Sequence, residues 1–124
     1  MYELSIEREF CAAHAIEMQG EREPVHGHNW RVTVVVAGDT LDADGLLCDF
    51  HEIERSLDGI LAPWRNANLN DSEPFDQINP TAELIAREIG EQIRRTLPDG
   101  VGLLSASVTE APGCRATYRP ARNG

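Results

Sequence analysis

The segment Glu-Pro-Val-His-Gly-His-Asn-Trp-Arg-Val, residues 23–32, sets His26 and His28 two apart at the head of an apolar run, with Glu23 three residues ahead of His26. In an extended chain, residues i and i+2 project to the same side, so His26 and His28 can converge on one ion if the run is a strand. His14, at the end of an earlier alternating run, is placed to add a third nitrogen. Three imidazole nitrogens leave one tetrahedral position of a zinc ion open to water or substrate, as a catalytic site requires. The competing reading is that these are ordinary histidines satisfied at a sheet edge. Three of the chain's four histidines falling in two facing runs favour the metal. Glu23 would then stand beside the ion as an acid or base. Against that, Glu17, Glu21 and Glu23 share one polar loop, and Glu21 is near enough to compete for the role.

Holding these groups together requires a scaffold of strands, and the patterning supplies one. Tyr2, Leu4, Ile6, Phe10, Ala12 and His14 share one parity, while Glu3, Ser5, Glu7 and Glu9 share the other. That is a strand with one buried face. The polar stretch EMQGEREP reads as a loop, and a second strand follows from about His26 to Ala37 with its even positions on one side, so the two form a hairpin. A turn-rich connector, GDTLDADG, leads to a helix with Phe50, Ile53, Leu57, Ile60 and Leu61 at helical spacing. Asp49 is its predicted N-cap, with Glu52 completing a capping box. After a long loop, Asn79 and Pro80 are predicted to cap and open a second helix, whose stripe is Leu84, Ile85, Ile89, Ile93 and Leu97. Two strands around the Ala-Pro-Gly turn, residues 111–113, complete the order β-β-α-α-β-β. The expected class is α+β, with a four-stranded antiparallel sheet covered on one face by two helices. Such a sheet has two open edges, which natural proteins pair or block. Joining the sheets of several copies into a barrel would remove both, so an oligomer is expected.

The 124 residues suit a single domain over residues 1–124. Eleven arginines and no lysine stand against twenty-one acids, and the formal charge of −10 opposes binding to nucleic acid or to an anionic membrane. No apolar stretch approaches the roughly 20 residues of a membrane helix. The first ten residues alternate with acids, so no signal peptide is expected and the cytoplasm is the expected location. Cys11, Cys48 and Cys114 have no metal-binding spacing, and their odd number argues against a disulfide framework. If a ligand carries phosphate, arginine must hold it.

The blocks FCAAH, HGHNW, CDF, NPTAE and VTEAPGCRATY, spread in this order from Phe10 to Tyr118, together resemble the 6-pyruvoyl-tetrahydropterin synthase family, which includes 6-carboxytetrahydropterin synthase. The resemblance implies the tunnelling fold, in which β-β-α-α-β-β subunits form trimeric twelve-stranded barrels that stack as hexamers, with a pterin as the small-molecule substrate. It implies that His14, His26 and His28 bind Zn2+. It also implies that Glu110 anchors the pterin ring. In the closed oligomer the active site is expected between chains, with Glu110 serving a metal bound by a neighbour. Thr81 and Glu83 match a further family block, which implies that Thr81 binds substrate, although both residue types suit the first turn of any helix. Two departures bear on the chemistry. The cysteine that family members carry shortly before the HGH block is absent, and Glu23 gives a pattern similar to a subgroup with glutamate in its place. That subgroup is implied to cleave 7,8-dihydroneopterin triphosphate to 6-hydroxymethyl-7,8-dihydropterin, a folate precursor. In WRNANLND, Arg65 and Asn66 stand where the family has an aspartate and a histidine for proton relay, and asparagine cannot shuttle a proton. Family alternatives are 6-carboxy- or 6-pyruvoyl-tetrahydropterin synthesis, and an alternative of another class is a non-catalytic, zinc-containing pterin-binding protein.

Overall fold

The alternating N-terminal run forms strand β1, Tyr2–His14, and the run opened by the histidine pair forms β4, His26–Gly38, in the computed structural model of the chain, which describes residues 1–121. The two pair antiparallel along their full length, with Phe10 opposite Trp30, Ala12 opposite His28 and His14 opposite His26. Because the pleat has period two, the even positions of both strands face the same side. Ile6, Phe10, Trp30, Val32, Val34 and Val36 are all buried there.

Helix α1, Phe50–Leu61, and helix α2, Ala82–Arg94, cover that face. Asp49 caps α1 as predicted, its side chain accepting the His51 N–H at 2.9 Å. Ile53, Leu57 and Leu61 are buried, whereas Phe50, assigned to the same apolar stripe from the sequence, lies 48% exposed at the first turn. Strands β6, Gly102–Ala111, and β7, Cys114–Tyr118, turn at residues 112–113, and β6 pairs with β4. Gly90 lets α2 approach this pair closely, since a Cβ there would lie 2.9 Å from Tyr118 Cδ2 and 3.2 Å from Ala106 Cβ.

The α+β class and the order of the main elements agree with the sequence reading, and three details differ. The loop EMQGEREP contains a small hairpin of β2, Glu17–Met18, and β3, Glu21–Arg22. The main sheet has five strands, in the order β5-β1-β4-β6-β7, because the two-residue strand β5, Ala67–Asn68, adds in parallel beside Ala12 and Ala13. The cap of α2 is Thr81, whose hydroxyl accepts the Leu84 N–H at 3.1 Å. Asn79 lies two residues too early for that role, and its amide is used elsewhere.

β5 covers only the last turn of the pleat on the outer edge of β1, so the outer edges of Tyr2–Cys11 and of β7 have no strand partner among the described residues. Among the described residues, no helix is long and apolar enough to cross a membrane.

Candidate metal centre

The β1–β4 register brings His14 from the end of one strand against His26 and His28 from the start of the other. The three ring centroids lie 4.7, 5.1 and 4.7 Å apart. Trp30 forms the floor, edge-on to His14 at 4.9 Å and to His28 at 5.2 Å, with its indole N–H donated to the Ala12 carbonyl at 3.1 Å.

Backbone carbonyls decide which nitrogen of two rings is free. His14 Nδ1 lies 2.8 Å from the Pro80 carbonyl oxygen, and His26 Nδ1 lies 2.9 Å from that of Pro24. A carbonyl can only accept, so each Nδ1 carries the proton and each Nε2 keeps its lone pair, the arrangement that orients metal-binding histidines. The Nε2 atoms of His14 and His28 are buried with no hydrogen-bond partner. Glu110, from the end of β6, aims Oε1 at both, 2.9 Å from His14 Nε2 and 3.5 Å from His28 Nε2.

A lone pair facing a carboxylate oxygen at such distances repels it, and a cation held by the nitrogens would convert the repulsion into attraction. One donor atom from each of His14, His26, His28 and Glu110 lies within 4.8 Å of the others, so the group could hold a metal ion; three imidazole nitrogens are the donor set of an open zinc-type site and leave Glu110 for a ligand. Burial holds His28 below the ordinary histidine pKa, His14 and His26 add to that effect, and Glu110 opposes it. The neutral ring favoured in this way is the metal-binding form.

Glu23 stands next to this group. Its N–H donates to the Ile16 carbonyl at 3.1 Å, and its own Oε1 accepts the Ile16 N–H at 3.1 Å. That oxygen is 3.7 Å from His26 Nε2, just beyond hydrogen-bond reach. Glu21 is exposed on the β2–β3 hairpin. The structure therefore separates two glutamates that the sequence left in competition.

Glu110 borders two open hollows. One, of about 470 Å³, is lined by Gly27, His28, Asn29, Arg31 and Thr109, and the other, of about 490 Å³, by Ala82, Glu83, Cys114 and Thr117. Both are of a size that small-molecule ligands fill. Within the single chain, the Glu110 carboxylate reaches the histidines of its own chain. Thr81 is occupied as the α2 cap and is not among the residues lining either hollow.

The remaining sequence candidates lie apart from the cluster. Arg65 donates to the Glu9 carbonyl at 2.9 Å and Asn66 N–H donates to the Cys11 carbonyl at 2.7 Å. The chain's fourth histidine, His51, is exposed on α1 and pairs with Glu54. Cys11 and Cys114 are exposed and Cys48 is half-buried, and none belongs to the histidine group. Sequence reasoning missed the orienting carbonyls of Pro24 and Pro80, since every residue carries a carbonyl and only the tertiary fold selects one.

A family profile described as 6-pyruvoyl tetrahydropterin synthase matches residues 3–121. A 6-carboxy-5,6,7,8-tetrahydropterin synthase of Bacillus subtilis is 33% identical, over 99% of this chain and 88% of its own. A dihydroneopterin monophosphate aldolase of Pyrococcus furiosus is 39% identical, over 82% of each. Among solved structures, the Caenorhabditis elegans 6-pyruvoyl tetrahydropterin synthase superposes with a TM-score of 0.81 at 22% identity, covering 98% of both chains. A Plasmodium vivax 6-pyruvoyltetrahydropterin synthase, in a variant with a catalytic glutamate replaced by alanine, superposes at 0.76 with 19% identity, over 96% of this chain and 97% of that one.

Proposed function

The chain belongs to the 6-pyruvoyl tetrahydropterin synthase family, and from that premise we propose that it is a zinc-dependent lyase that cleaves the side chain of 7,8-dihydroneopterin triphosphate to 6-hydroxymethyl-7,8-dihydropterin, a folate precursor. The observation that carries this reading is the Glu23 carboxylate, fixed by the Ile16 N–H and 3.7 Å from His26 in a cluster that contains no cysteine. The Pyrococcus relative is named as an aldolase of the monophosphate of this compound class, and the Plasmodium protein is a family member with a catalytic glutamate.

In the proposed reaction Glu23 takes the proton of the hydroxyl on the second side-chain carbon. The bond between the first and second carbons breaks, and the second becomes the aldehyde of a phosphorylated glycolaldehyde. The electron pair stays on the first carbon, in conjugation with the ring C=N, until that carbon takes the proton back from Glu23. No water, oxidant or reductant enters the balance. Zinc held by His14, His26 and His28 supplies a Lewis acid that makes the side-chain hydroxyl easier to deprotonate. Glu110 accepts parallel hydrogen bonds from the pterin amino and ring N–H groups. Thr81 contributes to the pterin site by fixing where α2 begins. The two hollows beside Glu110 leave room for the ring.

The working form proposed is a closed assembly, a hexamer of two stacked trimers. Its support is the pair of free sheet edges, one carrying Glu3, Glu7 and Glu9 and the other Arg115, all on the sheet face away from the helices. Light scattering at micromolar concentration tests it, and a stable monomer would defeat it. Three free cysteines suit the reducing cytoplasm, where we place the protein.

The test of function is incubation of the zinc-loaded protein with the tri- and monophosphates of dihydroneopterin, followed by mass analysis. The hydroxymethyl pterin with either ester is the expected product. The near full-length match to the Bacillus protein gives a second reading, and a 6-carboxy product would establish it in place of the first. Pterin binding without turnover would make the chain a binding protein.

A further inference from the structure

Between His14 and the β2–β3 hairpin, three consecutive residues have both backbone groups engaged, Ala15 and Glu17 by side chains distant in sequence and Ile16 by Glu23. Asn70 Oδ1 accepts the Ala15 N–H at 2.8 Å, and its Nδ2 donates to the Ala15 carbonyl at 2.8 Å. Asn79 repeats the pattern on Glu17, with 2.9 Å for both bonds. Ile16 faces the other way, its N–H donated to Glu23 Oε1 and its carbonyl accepting the Glu23 N–H. A planar amide offers one acceptor and one donor side by side, as the edge of a neighbouring strand does. Residues i and i+2 present the same edge of an extended chain, so two amides read one edge of residues 15–17 while Glu23 reads the other.

Neither asparagine is free to drift. Asn70 is held by its own N–H, donated to Asn68 Oδ1 at 3.1 Å in the 3-10 turn Leu69–Asp71. Asn79 precedes Pro80, whose carbonyl orients His14. We propose that Asn70 and Asn79 are positioning residues that hold segment 15–17 so that the Ile16 N–H presents the Glu23 carboxylate to the histidine cluster. The proposal rests on the reading of Glu23 as the acid and base.

Two measurements on the zinc-loaded protein test it. The first is hydrogen exchange at the Ile16 amide, which needs no activity. Asn70→Ala and Asn79→Ala should each speed it, with the rest of β1 unchanged. The second is steady-state turnover. Each variant should lower kcat about ten- to a hundredfold, the scale of a small misplacement of a reacting group, with KM and zinc content within about threefold of wild type. In the Glu23→Gln background the same substitutions should lower kcat no more than about twofold, because residues acting through one group are not additive. Asn79→Asp, which keeps an acceptor for the Glu17 N–H but sets a second oxygen against the Glu17 carbonyl, is the alternative variant should an alanine variant fail to fold, and it should show the same pattern. Unchanged exchange at Ile16 would overturn the proposal, as would equal losses of kcat in both backgrounds. Loss of zinc in proportion to kcat would also overturn it, by assigning Asn79 to His14. If Glu23→Gln alone keeps wild-type turnover, the functional reading fails, and exchange at Ile16 still decides whether the asparagines hold the segment.

Discussion

Replacing Glu23 by glutamine separates chemistry from position. The amide oxygen of glutamine can accept the Ile16 N–H that Oε1 now accepts at 3.1 Å, so the hairpin closure and the direction of the side chain persist. What disappears is the charge and the ability to take a hydroxyl proton. Loss of a general base lowers the rate by about 10² to 10⁴, equal to about 2.7 to 5.4 kcal/mol of activation free energy at 1.36 kcal/mol per factor of ten. The stability change should be much smaller, about 1 kcal/mol, the difference between a charge-assisted and a neutral hydrogen bond. Glu23→Ala also abandons the Ile16 N–H and should cost more stability. Glu21→Gln, on the exposed hairpin strand, should leave both properties as they were. The assay is product formation from dihydroneopterin phosphate by mass analysis, with zinc content and thermal unfolding measured on the same samples. Turnover of Glu23→Gln within about threefold of wild type, against the 10² lower bound, would refute the acid-base role.

Other consequences follow from the same geometry. His28→Ala removes one of three imidazole donors and should sharply reduce bound zinc measured by elemental analysis, and full occupancy would remove His28 from the site. Gly90→Ala places a methyl 2.9 Å from Tyr118 Cδ2; overpacking costs about 1–3 kcal/mol, offset by about 1 kcal/mol of helix propensity. Tm should therefore fall by a few degrees, and a raised Tm would contradict the packing of α2 on β6 and β7. Glu91 is held below the ordinary carboxylate range, first by its hydrogen bond from Arg94 and further by that from Tyr118. A depressed folded pKa gives stability that is complete above the unfolded value of about 4.5 and is lost as pH falls through the folded value. Glu91→Gln should accordingly flatten the loss of stability below about pH 4.5 in acid unfolding curves, and an unchanged curve would deny the linkage.

The period-two pattern of residues 2–14 and 26–37 was legible because a strand's buried face is a local property of alternation. With His14, His26 and His28 all on even positions, pairing of the two strands was enough to bring the three imidazoles together. The helices α1 and α2 were equally plain from their apolar stripes, and five short blocks carry the family resemblance in the sequence itself. The tertiary structure decided what depends on contacts between distant segments. The Pro80 carbonyl that orients His14 lies 66 residues from it in the chain, and no local pattern marks one carbonyl among many. Asn79, a plausible helix cap by composition, instead binds Glu17 across 62 residues, because Thr81 is where the backbone turns into α2. Strand β5 is only two residues long and too short to show a period. That Glu23 lies beside His26 while Glu21 stands on an exposed strand follows from the closure of a hairpin that the sequence shows only as polar loop. Composition and alternation encode which face a residue occupies; which partner meets it there is set by long-range register and loop closure, and these exist only in the folded chain.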